Sequence, residues 1–135
     1  MRRMIRRPGL APGMVVSVPK GPVTHVGIVS RRLLGGMPKV FASSPRTYGA
    51  AEVTWWEFGD NQPITVQGYL GDLPPGEVLW RAEALVGQLP YDAGSQNCEH
   101  YVTRSLGYKP FSPTVQRLVT CGLIVFVALA VAKAA

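Results

Sequence analysis

Two cysteines, two histidines and eight acidic residues are all that this 135-residue chain offers of the side chains that most often carry chemistry. With only Cys98 and Cys121, no disulfide framework can be built. Cys121 lies inside an apolar run and is a poor partner for a cysteine at a loop–helix junction, so a reducing compartment is the simpler expectation. The two Cys and two His also lack the paired spacing of a zinc site, and neither a metal nor another cofactor is expected. No Gly-x-Ser-x-Gly element occurs, and Ser95 has no acid or second histidine to serve it, which removes that form of serine catalysis. Internal repeats and long linkers are missing as well, so one domain is expected. The basic start "MRRMIRRPG" is followed by "PGLAPGMVVSVPKGP", where prolines and glycines interrupt any apolar h-region; a cleaved secretion signal is not expected.

What the chain does have is a hydrophobic fraction of 47% with fifteen glycines and twelve prolines, the composition of many turns and short strands. Fourteen Lys and Arg against eight Asp and Glu leave a formal charge of +6, which favours a polyanionic partner. Four arginines crowd residues 1–12, and Arg31 with Arg32 forms a second basic spot. No nucleic-acid-reading motif accompanies the charge, so anionic lipid is the expected partner and nucleic acid is not.

Short β-type runs follow one another: "GMVVSV" (13–18), "VTHVGIVS" (23–30), "PKVFAS" (38–43), "EVTWWEF" (52–58) and "PITVQGY" (63–69). Each is bounded by Gly, Pro or Asn, as in an antiparallel meander. The reading of "TWWEF" as a strand puts Trp55 and Trp56 on opposite faces, one of them in the core. In "PPGEVLWRAEALVGQLP" the apolar residues Val78, Leu79, Ala82, Leu85, Val86 and Leu89 change to helical spacing. A second short helix is expected from residue 98. Strands first and helices after predict an α+β fold, a meander sheet packed on two helices.

Residues 118–132, "LVTCGLIVFVALAVA", run without a charge. Fifteen helical residues rise only ~22 Å against a hydrocarbon core of ~30 Å. Counting from Val115, with Arg117 and Lys133 reaching the two surfaces, brings the segment closer to a span. A buried core helix is the alternative, but this run is apolar on every face. The expected organisation is a basic segment at 1–12, a folded domain at 13–110 and a C-terminal hydrophobic membrane-anchor helix at 114–135. Basic residues on the domain side would keep a single-pass, tail-anchored domain on the cytosolic face.

"GSQNCEHYVTRSLG" (94–107) raises the chemical question. Asn97 is a favoured helix cap, which puts Cys98 in the first turn, where the helix dipole stabilises a thiolate and lowers the thiol pKa. Cys98, Tyr101, Val102 and Leu106 share the face that meets the sheet. His100 lies two positions from Cys98, on another side of the helix, and is expected to face solvent or to accompany Glu99 in the first turn. His25, in mid-strand, then remains as the base. Thr24, Val26 and Ile28 would line one face of its strand and His25, Gly27 and Val29 the other, with Gly27 leaving open space for a side chain or substrate.

At "NCEHYVTRSLGY", following a strand histidine in "HVGIVS", the chain resembles the lecithin–retinol acyltransferase-like family, a circularly permuted branch of the papain-like cysteine hydrolases. Residues 97–102 match the family's Asn-Cys-Glu-His-Phe-Val segment with Tyr101 in place of Phe, and the resemblance covers residues 13–108. It implies a permuted papain-like fold and a thiol acyltransferase or phospholipase A-type hydrolase acting on glycerophospholipids. Cys98 would be the nucleophile and His25 the general base and later acid. Backbone N–H groups at the start of the Cys98 helix would stabilise the oxyanion, and Asn97, Tyr101 and Gly27 would contact substrate. The family places a third polar residue on the strand after the base strand. Here that position falls on Phe41 or Ala42, and a small register shift would bring in Ser43 or Ser44, with Ser43 as the expected orienter. Two other readings stay open: a weak or inactive membrane adaptor of the same fold, and a papain-like peptidase or amidase.

Overall fold

The computed structural model describes residues 9–88 and 97–108. Alternating apolar residues build five strands, β1 (Val15–Lys20), β2 (Val23–Leu34), β3 (Met37–Ser44), β4 (Gly49–Val53) and β5 (Thr65–Gly68). They form one antiparallel sheet in the order β4-β3-β2-β1-β5. The first four strands are a meander; β5 leaves it and returns beside β1, so the expected continuous meander is corrected at its last strand. Two tight turns set the registers. Gly21 and Pro22 lie between the paired Lys20 and Val23. Gly35 and Gly36, with φ of 60° and 83°, join Leu34 to Met37, a left-handed pair that follows the twist of the hairpin.

Both faces of the sheet are covered. On one side Val15, Ile28, Phe41 and Ala50 pack with Val78, Leu79, Ala82, Tyr101, Val102 and Leu106. These last six belong to or directly follow α2 (Pro75–Ala84) and α3 (Cys98–Ser105). On the other side Val16, Val18, Val29, Val40 and Ala42 pack with Trp55 and Phe58. The α+β class therefore stands, with helices on both faces of the sheet.

The segment expected to be a fourth strand is instead split. Chain pairing stops at Val53, and Trp55–Gly59 forms α1. Thr54 caps it: the Glu57 N–H donates to Thr54 Oγ1 at 3.1 Å, and the Thr54 N–H donates to the Glu57 carboxylate at 3.3 Å. The two tryptophans do divide between core and surface, Trp55 buried and Trp56 exposed, but through helical geometry. The second basic spot is also altered. Arg32 is bound to Glu52 at 2.7 Å and to Glu83, tying β2 to β4 and α2. Among the described residues no helix is long and apolar enough to cross a membrane. The expected anchor helix at 114–135 and the arginines before residue 9 lie outside the described residues.

Candidate active site

The site begins with a helix cap. Asn97 is extended (φ −96°, ψ −176°), and its side-chain oxygen accepts the N–H groups of Glu99 at 2.9 Å and His100 at 3.0 Å. His100 closes the cap from the other side, its Nδ1 accepting the Asn97 N–H at 3.3 Å. Two of the orphan donors of the first turn are thus satisfied. Asn97 is the expected helix cap, and of the two placements expected for His100 it takes the first-turn one beside Glu99, buried and not facing solvent. The Asn97 side-chain oxygen, expected to contact substrate, is engaged by the helix.

The cap fixes Cys98 as the first residue of α3, half-buried between the buried Asn97 and Glu99. α3 lies across β2 and β3 and beside α2. The N–H of Val26 on β2, the residue next to His25, acts on the Cys98 thiol. Sheet geometry explains why that N–H is available. Val29 donates its N–H to Met14 on the β1 side, so by alternation the Val26 N–H points toward β3. At this end the β2–β3 register runs no further than Ile28 opposite Phe41, while Ala42 to Ser44 of β3 pair with β4.

The protonation of the thiol differs from the sequence expectation. Burial pushes the Cys98 pKa up, with the Glu99 carboxylate adding to the rise. The N–H groups of Val26, Glu99 and Cys98 itself act against it without reversing it. A first-turn dipole contributes about 0.3–1 kcal/mol, and desolvation of a buried anion outweighs it. Cys98 therefore rests as a thiol, not as the expected thiolate.

His25 is buried on β2 opposite Val18, with its ring against Phe58 of α1 at a centroid distance of 5.0 Å. Burial lowers its pKa to about 4, and the Lys20 ammonium adds to the effect. At neutral pH it is an uncharged imidazole with a lone pair to accept a proton. The alternation expected along β2 holds: Val26 and Ile28 pack on the α2–α3 side, while Gly27 lies on the α1 side with Val29. Gly27, however, is not beside open space. A Cβ there would stand 2.5 Å from Val40 Cγ1 and 2.9 Å from both the Phe41 carbonyl oxygen and Phe58 Cε2. The glycine is required by close packing, not by open space beside it.

Tyr101 is likewise structural. It is almost fully buried and donates its hydroxyl to the Ala82 carbonyl at 2.6 Å, joining α3 to α2. That hydrogen bond gives a reason for Tyr at a position where Phe would pack equally well. Ser43 is buried on β3 opposite Ala50, and Ala50 belongs to the α2–α3 side of the core. Strand alternation from Phe41 places Ser43 on that same side, away from the Phe58 face that holds the His25 ring. Ser44 is engaged with Thr47, whose N–H it accepts at 3.3 Å as the cap of a 3-10 turn. Among the described residues no three His, Cys, Asp or Glu side chains gather as a metal site would need.

No curated protein matches the chain. The family model for lecithin retinol acyltransferase matches residues 16–107, well over half of the chain, from β1 through the turn after α3. The chain belongs to the lecithin retinol acyltransferase family, a family of thiol acyltransferases and hydrolases of lipid metabolism.

Proposed function

We infer that the protein is a cysteine-dependent acyltransferase or phospholipase A-type hydrolase that takes fatty acyl groups from glycerophospholipids through a thioester on Cys98. The observation that carries this reading is Cys98 held by the Asn97 cap at the start of α3, within the matched family segment, with α3 laid against β2, the strand of His25. His25 neighbours Val26 on β2 and is the base assigned here; its ring lies on the Phe58 side of the sheet, so proton transfer requires it to turn toward the α3 side.

With both partners neutral at rest, the thiol proton passes to His25 as the sulfur attacks the ester carbonyl. The oxyanion that forms is assigned to the Cys98 N–H, because Asn97 already holds those of Glu99 and His100. Collapse breaks the acyl–oxygen bond, and the imidazolium returns its proton to the departing glycerol oxygen. Water, or an amine or hydroxyl acceptor, then gives up a proton to His25 and cleaves the thioester. The product is a fatty acid or a transferred acyl group, with the thiol restored.

The cysteine helix laid on an antiparallel sheet supports a permuted papain-like reading of the fold. The uncharged run at 118–132 and the basic residues flanking it support attachment at 114–135 as a single-pass tail, with the domain on the cytosolic side. Attachment would raise the local concentration of phospholipid substrate.

A second reading, a weak or inactive adaptor of the same fold, is favoured by the surroundings of His25. Its side of β3 presents Val40 and Ala42, so no β3 hydroxyl orients the ring. One experiment separates the two. The full chain is incubated with phosphatidylcholine vesicles, quenched in acid and analysed by peptide mass spectrometry. Catalysis requires an acyl mass on the Cys98 peptide that vanishes in Cys98→Ala and falls by about 100-fold or more in His25→Ala. An unacylated Cys98 peptide in the parent chain rejects the enzyme and leaves the adaptor.

A further inference from the structure

Away from Cys98, near the C-terminal end of α3, a cavity of about 350 Å³ opens between α2 and α3. It is lined by Trp80, Arg81, Ala84, Leu85, Arg104 and Tyr108, with Gly107 at its edge. Its volume falls within the range of about 300–1,000 Å³ typical of small-molecule sites. Two of its residues are arginines whose Nε atoms are sheltered from solvent and have no hydrogen-bond partner among the described residues. Leaving such a donor unsatisfied costs on the order of 1–3 kcal/mol, and more for a charged group. Both donors belong to residues of one groove, and an acceptor bound there would satisfy them.

The charge of the groove narrows the ligand. Arg81 already binds Glu77 across one helical turn at 3.2 Å and no carboxylate among the described residues pairs with Arg104, so within them the pair of guanidiniums carries one uncompensated positive charge. Trp80 and Tyr108 are exposed at the rim, and Ala84 and Leu85 supply apolar surface. We propose that this groove binds a singly charged phosphodiester, held by Arg81 and Arg104 and covered by apolar atoms attached to it, as in the headgroup region of an anionic phospholipid. Guanidinium forks suit such an anion because two parallel N–H groups meet two phosphate oxygens. Trp80 and Tyr108 are the aromatic types that settle at a lipid–water boundary. The groove is separate from the Cys98 site and would be occupied whether or not acyl transfer takes place.

The test reads the two Nε–H groups directly. The full chain, isotopically labelled at arginine, is held in nonionic micelles and titrated with dimethyl phosphate, with dihexanoylphosphatidylglycerol and with inorganic phosphate. Saturable shifts of the Arg81 and Arg104 Nε–H signals with the two diesters are expected. The acyl-bearing diester should bind about tenfold more tightly through apolar contact with Trp80, Leu85 and Tyr108. Equal affinity for the two diesters would keep the site and assign it to a soluble ligand. Arg81→Gln and Arg104→Gln should each weaken binding by about tenfold or more while the backbone spectrum stays that of the parent. Nε–H signals that do not move, or affinity unchanged in the double variant, overturn the proposal. Acyl-thioester formation with a soluble ester should persist in both variants, so failure here and failure of the catalytic reading are distinguishable.

Discussion

At the scale of single residues, burial overrides position. Cys98 occupies the helix terminus that lowers a thiol pKa elsewhere, yet desolvation raises it here. Alkylation of Cys98 by iodoacetamide, resolved from Cys121 by peptide mapping, is therefore expected to be slow at pH 7. Its rate should still be climbing above pH 9; a plateau reached below pH 7 would instead show a resting thiolate. Gly27 makes a similar point with backbone and van der Waals contact. A methyl at Gly27 meets Val40, Phe58 and a carbonyl oxygen closer than real contacts allow. Gly27→Ala should lower the urea-unfolding free energy by about 1–3 kcal/mol, as overpacking of a filled core does.

At the scale of elements, caps decide what the side-chain types leave ambiguous. "EVTWWEF" is rich in β-favouring Val, Thr, Trp and Phe, and these alone argue for a strand. The Thr54 and Glu57 pair, spaced as a capping box, ends the strand and starts α1. The same device starts α3, but there it also positions the nucleophile. Thr54→Ala and Asn97→Ala should each destabilise the fold by about 1 kcal/mol, measured by urea denaturation. Only Asn97→Ala should also reduce Cys98 acylation well beyond what its fraction unfolded explains. Equal loss of acylation in the two variants would show that the cap at Asn97 contributes stability alone.

At the scale of the whole molecule, the two-sided core makes His25 a stability element as well as a base. The unfolded chain protonates it near 6.5, whereas the fold keeps it neutral down to about 4. Above 6.5 both states hold a neutral ring and the fold keeps its full stability. As pH falls through that window the unfolded chain takes up the proton first, and stability drops by about 3 kcal/mol. Unfolding by urea at a series of pH values should show this fall, and His25→Gln should remove most of it. A His25→Gln curve that falls as steeply would assign the acid sensitivity to other groups.

Much of this architecture could be read along the chain, because it depends on neighbours in sequence. Alternation in 13–18, 23–30 and 38–43 marked the first three strands, and helical spacing marked α2. The Asn97 cap and the segment 97–102 marked the cysteine helix and its family. The face alternation of Val26, Gly27, Ile28 and Val29 was legible for the same reason. The rest needed groups distant in sequence to meet. Val40 and Phe58 close the space beside Gly27, the Ala50 side of the sheet claims Ser43, and the His100 ring turns back into its own cap. The protonation of Cys98 and His25 belongs with these. A pKa in the interior is set by how much water the surrounding elements exclude, and only their three-dimensional packing fixes that.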